Sequence, residues 1–244
     1  NSQSLVKFVD TKIGSEGGGL GCGYNYIGAS YPFGMVQFTP SFFSPQKGFV
    51  INQLSGAGCP HMGNVPVLPL AGNIEKSPDN MEGFDAYKII NEAHAGFLSV
   101  SMKDKTKASL TVNKRSGIAK FKFDKNNKTG SVIIGAGISS TFTENAMIKI
   151  TSNKTCEGFA DGGDFCGTKT PYRIYFAVEF DRESSTKGTW IGNALLKESL
   201  QGYGKNSGAY FTFDTMENEE VHYRISVSFV SIKNAKENLE ASKI

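Results

Sequence analysis

Two glycine-rich stretches carry the polar side chains best suited to hold a ligand that bears hydroxyl groups. They cover residues 17–25 and 55–64. Glycine lets the backbone approach a ligand closely, and Asn, Gln and Ser form hydrogen bonds with hydroxyls. The glycines would equally fit tight turns with no ligand. In and beside these loops the candidate contacts are Cys22, Gly23, Asn25, Gln53, Ser55, Gly56, Gly58 and His61.

Carboxylates in the sequence give no catalytic pair and no metal site. Asp161 and Asp164 flank two glycines, but no acidic residue follows at the spacing of a calcium-binding loop. We interpret this pair as a turn. Asp10, Glu179 and Asp181 lie at predicted strand ends, where carboxylates are mostly solvated.

The four cysteines, Cys22, Cys59, Cys156 and Cys166, allow three pairings and match no zinc-binding spacing. Cys156 and Cys166 enclose a short segment rich in Gly and Asp. A local disulfide between them is our prediction for an oxidising compartment. Two buried thiols are the alternative.

The elements that must position these residues are predicted to be β-strands, because apolar and polar residues alternate in several segments. The segments cover residues 120–123, 146–150, 172–180, 209–213 and 221–230. Clusters of Gly, Asn, Asp and Ser, typical of turns between antiparallel strands, lie between them at residues 124–130, 161–167 and 200–208. The pattern predicts an all-β fold, a large antiparallel β-sandwich.

The pattern changes at the end of the chain. Ala235, Leu239 and Ala241 stand among Lys and Glu, which predicts an amphipathic helix, and no Gly or Pro follows to end it. We therefore expect residues 1–232 to form the sandwich and residues 233–244 to begin a linker helix of a longer protein.

Composition excludes several classes of function. The chain has 244 residues, of which 39% are hydrophobic and 20% charged, as in ordinary globular proteins. Its net charge of +3 is spread along the sequence, so nothing favours nucleic-acid binding. The longest apolar stretches have the length of a strand, which predicts no membrane span.

Several segments together resemble the glycoside hydrolase family 92 mannosidases. The most specific is YIGASYPFGMVQFTP at residues 26–40, preceded by FVDTKIG at 8–14 and followed by QLSGAGCP at 53–60. The resemblance continues in order through residues 64–69, 91–100, 173–181 and 227–240. It spans nearly the whole chain but only the first part of the family's length.

The resemblance implies a supersandwich whose final helix leads to an (α/α)6 barrel that this chain lacks. The family's enzymes are secreted, calcium-dependent, inverting exo-α-mannosidases, and their acid and base carboxylates lie in the barrel. None of those motifs falls on this chain, so no catalytic residue is assigned and the Ca²⁺ ligands are expected mainly outside it. The implied partners are mannose-terminated glycans and the barrel in cis.

For this chain the resemblance implies that Asn25, Gln53, Ser55 and His61 line a sugar pocket. The fragment alone is expected to be inactive, and its source to be a bacterium that places the enzyme outside the cell, in the periplasm or on the cell surface. Where many members have histidines, this chain has Ile51, Asn52 and Gln53, which leaves the linkage specificity open. A free-standing carbohydrate-binding module and a structural β-domain are the alternative functions.

Overall fold

The computed structural model describes residues 5–15, 25–41, 47–55, 61–82 and 89–243. A short 3-10 helix at Leu5–Phe8 opens this part of the chain and one α-helix, α1 (Ile232–Glu240), ends it. Between them lie seventeen β-strands in two antiparallel sheets. The predicted antiparallel sandwich with a short C-terminal helix is confirmed. None of the helices described is long and apolar enough to cross a membrane.

The first sheet has eight strands in the order β1-β2-β3-β4-β9-β16-β13-β14. Numbered along the chain, they are β1 (Ala29–Ser30), β2 (Gln37–Pro40), β3 (Phe49–Val50), β4 (Val67–Ala71), β9 (Thr129–Gly135), β13 (Thr186–Ile191), β14 (Ala194–Lys197) and β16 (Ser207–Asp214). Four of these strands, β1 to β4, lie in the first 72 residues, where alternation is weak.

The second sheet has nine strands in the order β15-β10-β11-β12-β17-β8-β7-β6-β5. These are β5 (Ile89–His94), β6 (Phe97–Ser101), β7 (Lys107–Val112), β8 (Ser116–Lys122), β10 (Ala146–Ile150), β11 (Thr155–Gly162), β12 (Tyr172–Phe180), β15 (Gln201–Tyr203) and β17 (Glu220–Ser228). The predicted loop at residues 200–208 contains β15 and the start of β16.

Aromatic rings join the two sheets at the centre of the core. The Phe180 ring on β12 lies 5.0 Å from the rings of Phe211 and Phe213 on β16, and 5.5 Å from that of Tyr223 on β17. Alternation along each strand directs such residues inward, so burying them stabilises both sheets together. Truncating one of these rings to alanine would cost about 3–5 kcal/mol.

The outer face of the first sheet is also covered, which alternation alone did not predict. Trp190 on β13 is fully buried and its Nε1 donates to the Asp79 carbonyl at 2.9 Å. Tyr210 on β16 lies beside Asn73 and Ile74. Because residues 73–79 lie over these side chains, β16 is buried on both faces.

Helix α1 is capped and packed against the second sheet. The Ser231 side chain accepts a hydrogen bond from the Asn234 backbone N–H at 3.1 Å, an ordinary N-cap. Ala235 and Leu239 are buried against Ala177, as the amphipathic pattern predicted. Ala241, assigned to the same face, lies beyond the helix and is exposed.

Candidate functional site

Four of the eight candidate contacts are described, namely Asn25, Gln53, Ser55 and His61. The other four, Cys22, Gly23, Gly56 and Gly58, lie outside the described residues. The structure carries no ligand that would test any of the eight as a contact, so these roles stay predictions.

The two Gly-rich segments meet at Asn25 and Ser55. The Ser55 hydroxyl donates to Asn25 Oδ1 at 2.8 Å. Asn25 is fixed in turn by its backbone N–H, which donates to the Gly14 carbonyl at 3.0 Å. Two candidates that are thirty residues apart are therefore neighbours, and both present polar groups near the surface.

Gln53 and Asn52 are buried behind this pair. The Gln53 backbone N–H donates to Gln37 Oε1 at 3.1 Å. Asn52 Oδ1 accepts from the Asn64 backbone N–H at 2.7 Å, and Asn52 Nδ2 donates to Asn64 Oδ1 at 3.0 Å. This reciprocal pair connects the end of the β3 segment with the segment that leads into β4.

Tyr172, at the start of β12, joins the same network from the other sheet. Its hydroxyl donates to Asn64 Oδ1 at 2.6 Å. Burial raises the pKa of Tyr172, and the hydrogen bond with Asn64 opposes that rise, so the hydroxyl stays a donor at neutral pH. We call Asn52, Gln53, His61, Asn64 and Tyr172 the polar cluster. Tyr172 had no sequence signal, because it lies 108 residues from its partner.

His61 is only 1% exposed and its ring stacks on that of Phe165 at 5.1 Å. Burial lowers the pKa of His61, so its imidazole is neutral at pH 7. His61 Nδ1 and Asn64 Nδ2 are buried without a hydrogen-bond partner among the described residues. Unpartnered buried polar atoms are rare and are often explained by a missing ligand or water.

Backbone conformation around the polar cluster is strained. Met62 and Val65 have φ values of 50° and 51°, in the left-handed region that costs a β-branched residue most. Such residues concentrate at ligand sites, where the surrounding contacts hold them in place. The strain in this short segment, which includes His61 and Asn64, therefore supports a binding role.

An apolar surface adjoins the polar cluster. The exposed Phe229 ring contacts the Tyr172 ring edge-on at 6.3 Å. Next to it a groove of about 410 Å³ is lined in part by Met35, Phe229 and Val230, all of them exposed. The polar cluster thus lies beside a face on which several large apolar side chains contact water.

Arginine or histidine side chains lie beside three of the carboxylates considered above. Both carboxylate oxygens of Asp161 accept from the Arg173 guanidinium, and Glu179 pairs with Arg224. Asp181 accepts from the His222 backbone N–H at 3.0 Å. Across the described ranges, no group of three or more His, Cys, Asp or Glu side chains could hold a metal ion.

The predicted disulfide between Cys156 and Cys166 is wrong. Cys156 is a free, buried thiol on β11, whereas Cys166 is disulfide-bonded. The reason is the strand between them. A strand rises about 3.3 Å per residue, and Cys166 lies in the turn beyond the far end of β11, where Phe165 bridges Thr168. The two cysteines are therefore too far apart for a disulfide, whose Cα atoms must lie within about 7 Å.

The described residues thus form an antiparallel β-sandwich with a polar cluster that joins its two sheets. The chain matches the family model described as the Glycosyl hydrolase family 92 N-terminal domain over residues 8–228. It therefore belongs to glycosyl hydrolase family 92. A search of curated protein sequences found no match.

Solved structures of this family share the fold. The family GH92 α-mannosidase BT3965 from Bacteroides thetaiotaomicron superposes with a TM-score of 0.85 at 23% identity, over 99% of this chain and 35% of that one. The GH92 glycosyl hydrolase ccman5 gives 0.83 at 20% identity, over 98% and 34%. The inverting mannosidase BT2199 of B. thetaiotaomicron gives 0.79 at 19%, over 99% and 34%. The chain thus spans about a third of their length.

Proposed function

We propose that this chain is the N-terminal domain of an exo-α-mannosidase that removes terminal α-mannose from glycans. The observation that carries the proposal is membership of glycosyl hydrolase family 92. Structures similar in fold are named α-mannosidases, and one of them was solved with mannoimidazole. The substrate class assigned to this chain is accordingly a mannose-terminated glycan.

The polar cluster is our candidate for this domain's share of the sugar pocket. Sugar hydroxyls both donate and accept, and the cluster offers neutral amide, imidazole and phenol groups of both kinds. His61 Nδ1 and Asn64 Nδ2 are buried with no partner among the described residues, so a sugar hydroxyl that reached them would satisfy both. Asn25 and Ser55 would extend the sugar pocket, because they are more exposed than the polar cluster.

We infer that this domain does not catalyse the reaction alone. An inverting glycosidase needs an acid and a base about 6.5–9.5 Å apart, with room for a water molecule between them. Asp161, Glu179 and Asp181 are instead held by Arg173, Arg224 and His222. The acid and the base are therefore assigned to a further domain of a longer protein.

We assign the Ca²⁺ ligands of the proposed enzyme mainly to the part of the longer protein outside this chain. Calcium prefers several oxygen ligands, including carboxylates. The polar cluster offers neutral amide and phenol oxygens, and the described ranges contain no group of acidic side chains that could hold a metal. The ion would help to bind sugar hydroxyls in the longer enzyme, while this domain positions the sugar through uncharged groups.

The exposed apolar side chains beside the polar cluster are the proposed docking face for that further domain. Phe33 is fully exposed at 102% and has a φ of 57°, a costly conformation for a bulky residue. Phe229 and Val230, which precede α1 in the sequence, are also exposed. Contiguous exposed apolar residues often mark an interaction site, and docking here would enclose the polar cluster.

A location outside the cytoplasm, in the periplasm, at the cell surface or in the medium, is part of the proposal. Cys166 is disulfide-bonded, and structural disulfides persist mainly in oxidising compartments. This agrees with an enzyme that meets glycans outside the cell.

The test is hydrolysis of an aryl α-mannoside and of α-linked mannobiosides by the 244-residue chain and by the longer protein. We expect hydrolysis by the longer protein with inversion at the anomeric carbon, loss of activity with a calcium chelator, and none by the chain alone. Hydrolysis by the chain alone would overturn the assignment of the acid and base. A longer protein inactive on all α-mannosides would overturn the function.

A free-standing carbohydrate-binding module is the second candidate, because the unpartnered atoms of the polar cluster would serve any sugar. The two functions differ in binding. A module should bind mannose or mannoimidazole as the 244-residue chain, with saturation in calorimetry. A domain that supplies one wall of a pocket should show no saturable binding until the second domain is present.

A further inference from the structure

A small pocket beside the end of β9 has two lysines among the described residues that line it. Its volume is about 240 Å³, and it lies between Lys47, Lys205 and the loop at residues 137–143. None of the described residues that line it is acidic. The larger groove beneath α1 contrasts with it, because that groove is lined by Glu157, Glu179 and other glutamates.

Lys47 is a half-buried cation whose direct partners are neutral. Its Nζ donates to Asn80 Oδ1 at 3.0 Å and to the Ser139 carbonyl at 3.2 Å. An ammonium group has three N–H donors, so one remains for a ligand. Burial lowers the pKa of Lys47, and the charge of Glu82, which is itself bonded to Asn80, partly opposes this.

Two buried hydroxyls in the lining have no hydrogen-bond partner among the described residues. Ser139 is 5% exposed and Thr143 is 6% exposed, and neither Oγ of Ser139 nor Oγ1 of Thr143 forms a hydrogen bond within the described residues. Leaving a buried hydroxyl unpaired costs about 1–3 kcal/mol. Both side chains line the same pocket as Lys47, so one ligand with several acceptor oxygens would satisfy them together.

Lys205 supplies the second cation. Its Nζ lies 5.1 Å from the centre of the Phe142 ring, a cation–π contact that holds the ammonium at the pocket. Asn206, the next residue, also lines the pocket, and its Nδ2 donates to Asp79 Oδ1 at 3.1 Å. The donors around the pocket therefore come from three separate segments of the chain.

We propose that this pocket binds a phosphate or sulfate group, held by Lys47 and Lys205 and by the hydroxyls of Ser139 and Thr143. A tetrahedral oxyanion presents several strong acceptors at once and would give the Lys47 ammonium a negatively charged partner in direct contact, since Glu82 is connected to it through Asn80. The group is small enough for the observed volume. The remaining space would admit the part of an ester next to it.

The pocket lies directly behind the polar cluster. The Ser140 backbone N–H donates to the Met62 carbonyl at 2.9 Å, and Met62 follows His61 in the chain. The loop at residues 137–143 thus lines the pocket and contacts the segment that carries His61 and Asn64. Anion binding is measured on the 244-residue chain without any glycoside, so its outcome is separate from that of the proposed mannosidase activity.

The experiment is calorimetric titration of the 244-residue chain with inorganic phosphate and, separately, with inorganic sulfate, at an ionic strength kept constant with sodium chloride. We expect saturable binding of at least one of them at a single site. Binding of phosphate alone would identify a phosphate-ester site, binding of sulfate alone a sulfate-ester site, and binding of both the shared oxyanion chemistry. Lys47→Gln should weaken the binding about tenfold, because a charged hydrogen bond is lost.

Lys107→Gln is the matched control, since Lys107 is an exposed lysine on β7 and its replacement should leave binding unchanged. Thr143→Val removes an unpartnered hydroxyl, so it should weaken anion binding while the chain without anion is as stable as before or more so. No saturable binding of either anion, or equal affinities of the Lys47→Gln and Lys107→Gln chains, would overturn the proposal. If Lys47→Gln fails to fold, unchanged affinity in Thr143→Val would overturn it.

Discussion

Single residues in the polar cluster hold two distant parts of the chain together. Asn64 Oδ1 accepts from both Asn52 Nδ2 and the Tyr172 hydroxyl, and these bonds join the segment before β4 with the start of β12. A network of this kind fixes side-chain orientation as well as stability, because each member limits the rotamers of the next. The same rigidity would suit a pocket wall.

Tyr172→Phe tests this bond. Removing the hydroxyl leaves Asn64 Oδ1 with Asn52 alone, so we expect the free energy of unfolding to fall by about 1 kcal/mol in urea titrations. Tyr203→Phe is the control, since Tyr203 is half-exposed and its hydroxyl bonds to Gln201 at the surface. That change should stay within about 0.5 kcal/mol of the parent. Equal effects of the two changes would contradict the role given to Tyr172.

His61 makes the stability of the chain depend on pH. Its pKa in the native state lies below the ordinary value of 6.5 because burial disfavours the charged ring. The unfolded chain therefore takes up a proton first as the pH falls, and stability is lost as the pH drops below about 6.5 towards the native pKa. We expect the free energy of unfolding of His61→Gln to depend less on pH than that of the parent between about pH 7 and 5, measured by urea titration at each pH.

His94→Gln is the control for that experiment, because His94 is exposed and its replacement should leave the slope with pH unchanged. If the parent and His61→Gln chains lose stability in parallel as the pH falls, burial of a neutral His61 is not the source of the dependence.

Among the elements, α1 is attached to the second sheet along one buried face. Leu239 packs against the sheet, and the Arg224 guanidinium, paired with Glu179, reaches the Leu239 carbonyl at 3.5 Å. Asn238 Nδ2 donates to the Val227 carbonyl at 2.9 Å. Leu239 is the larger of the two buried apolar side chains of the helix, so docking of α1 should be sensitive to its truncation.

We expect Leu239→Ala to cost about 2 kcal/mol in the docking of α1, at the low end for a buried leucine because the helix is at the surface. Hydrogen exchange of the α1 amides should become faster by more than tenfold, while the amides of β12 and β17 keep their protection. Lys233→Ala, at an exposed position of the same helix, is the control. Unchanged exchange in Leu239→Ala would show that the helix is held in another way.

On the scale of the whole molecule, the proposed function requires that one face be covered in a longer protein. Met35 is 36% exposed beside Phe229, and Met216 is 66% exposed in the turn before β17. Both methionines should be oxidised readily by hydrogen peroxide in the 244-residue chain. In the longer protein we expect oxidation of Met35 to slow several-fold relative to Met216, measured by peptide mass spectrometry. If the rate of Met35 oxidation relative to that of Met216 is the same in both proteins, the docking face lies elsewhere.

The sequence by itself determined the fold class and the family. Alternation in the segments that became β8, β10, β12, β16 and β17, with turn residues between them, was sufficient for an antiparallel sandwich, because the period of side chains along a strand is a local property. The long matching segment at residues 26–40 and its successors identified the family, which the match over residues 8–228 confirms. The buried face of α1 followed from Ala235 and Leu239 in the same local way.

Only the tertiary structure decided what depends on distant segments meeting. Three features join parts of the chain that no periodicity connects. They are the bond of Asn64 to Tyr172 in β12, the contact of residues 73–79 with Trp190, and the pocket between Lys47 and Lys205. The cysteines show the same limit, because Cys156 and Cys166 are close in sequence but the extended strand between them holds them apart. The pairing of distant segments depends on how the whole core packs, and every strand contributes to that packing. No single segment of the sequence can therefore predict it.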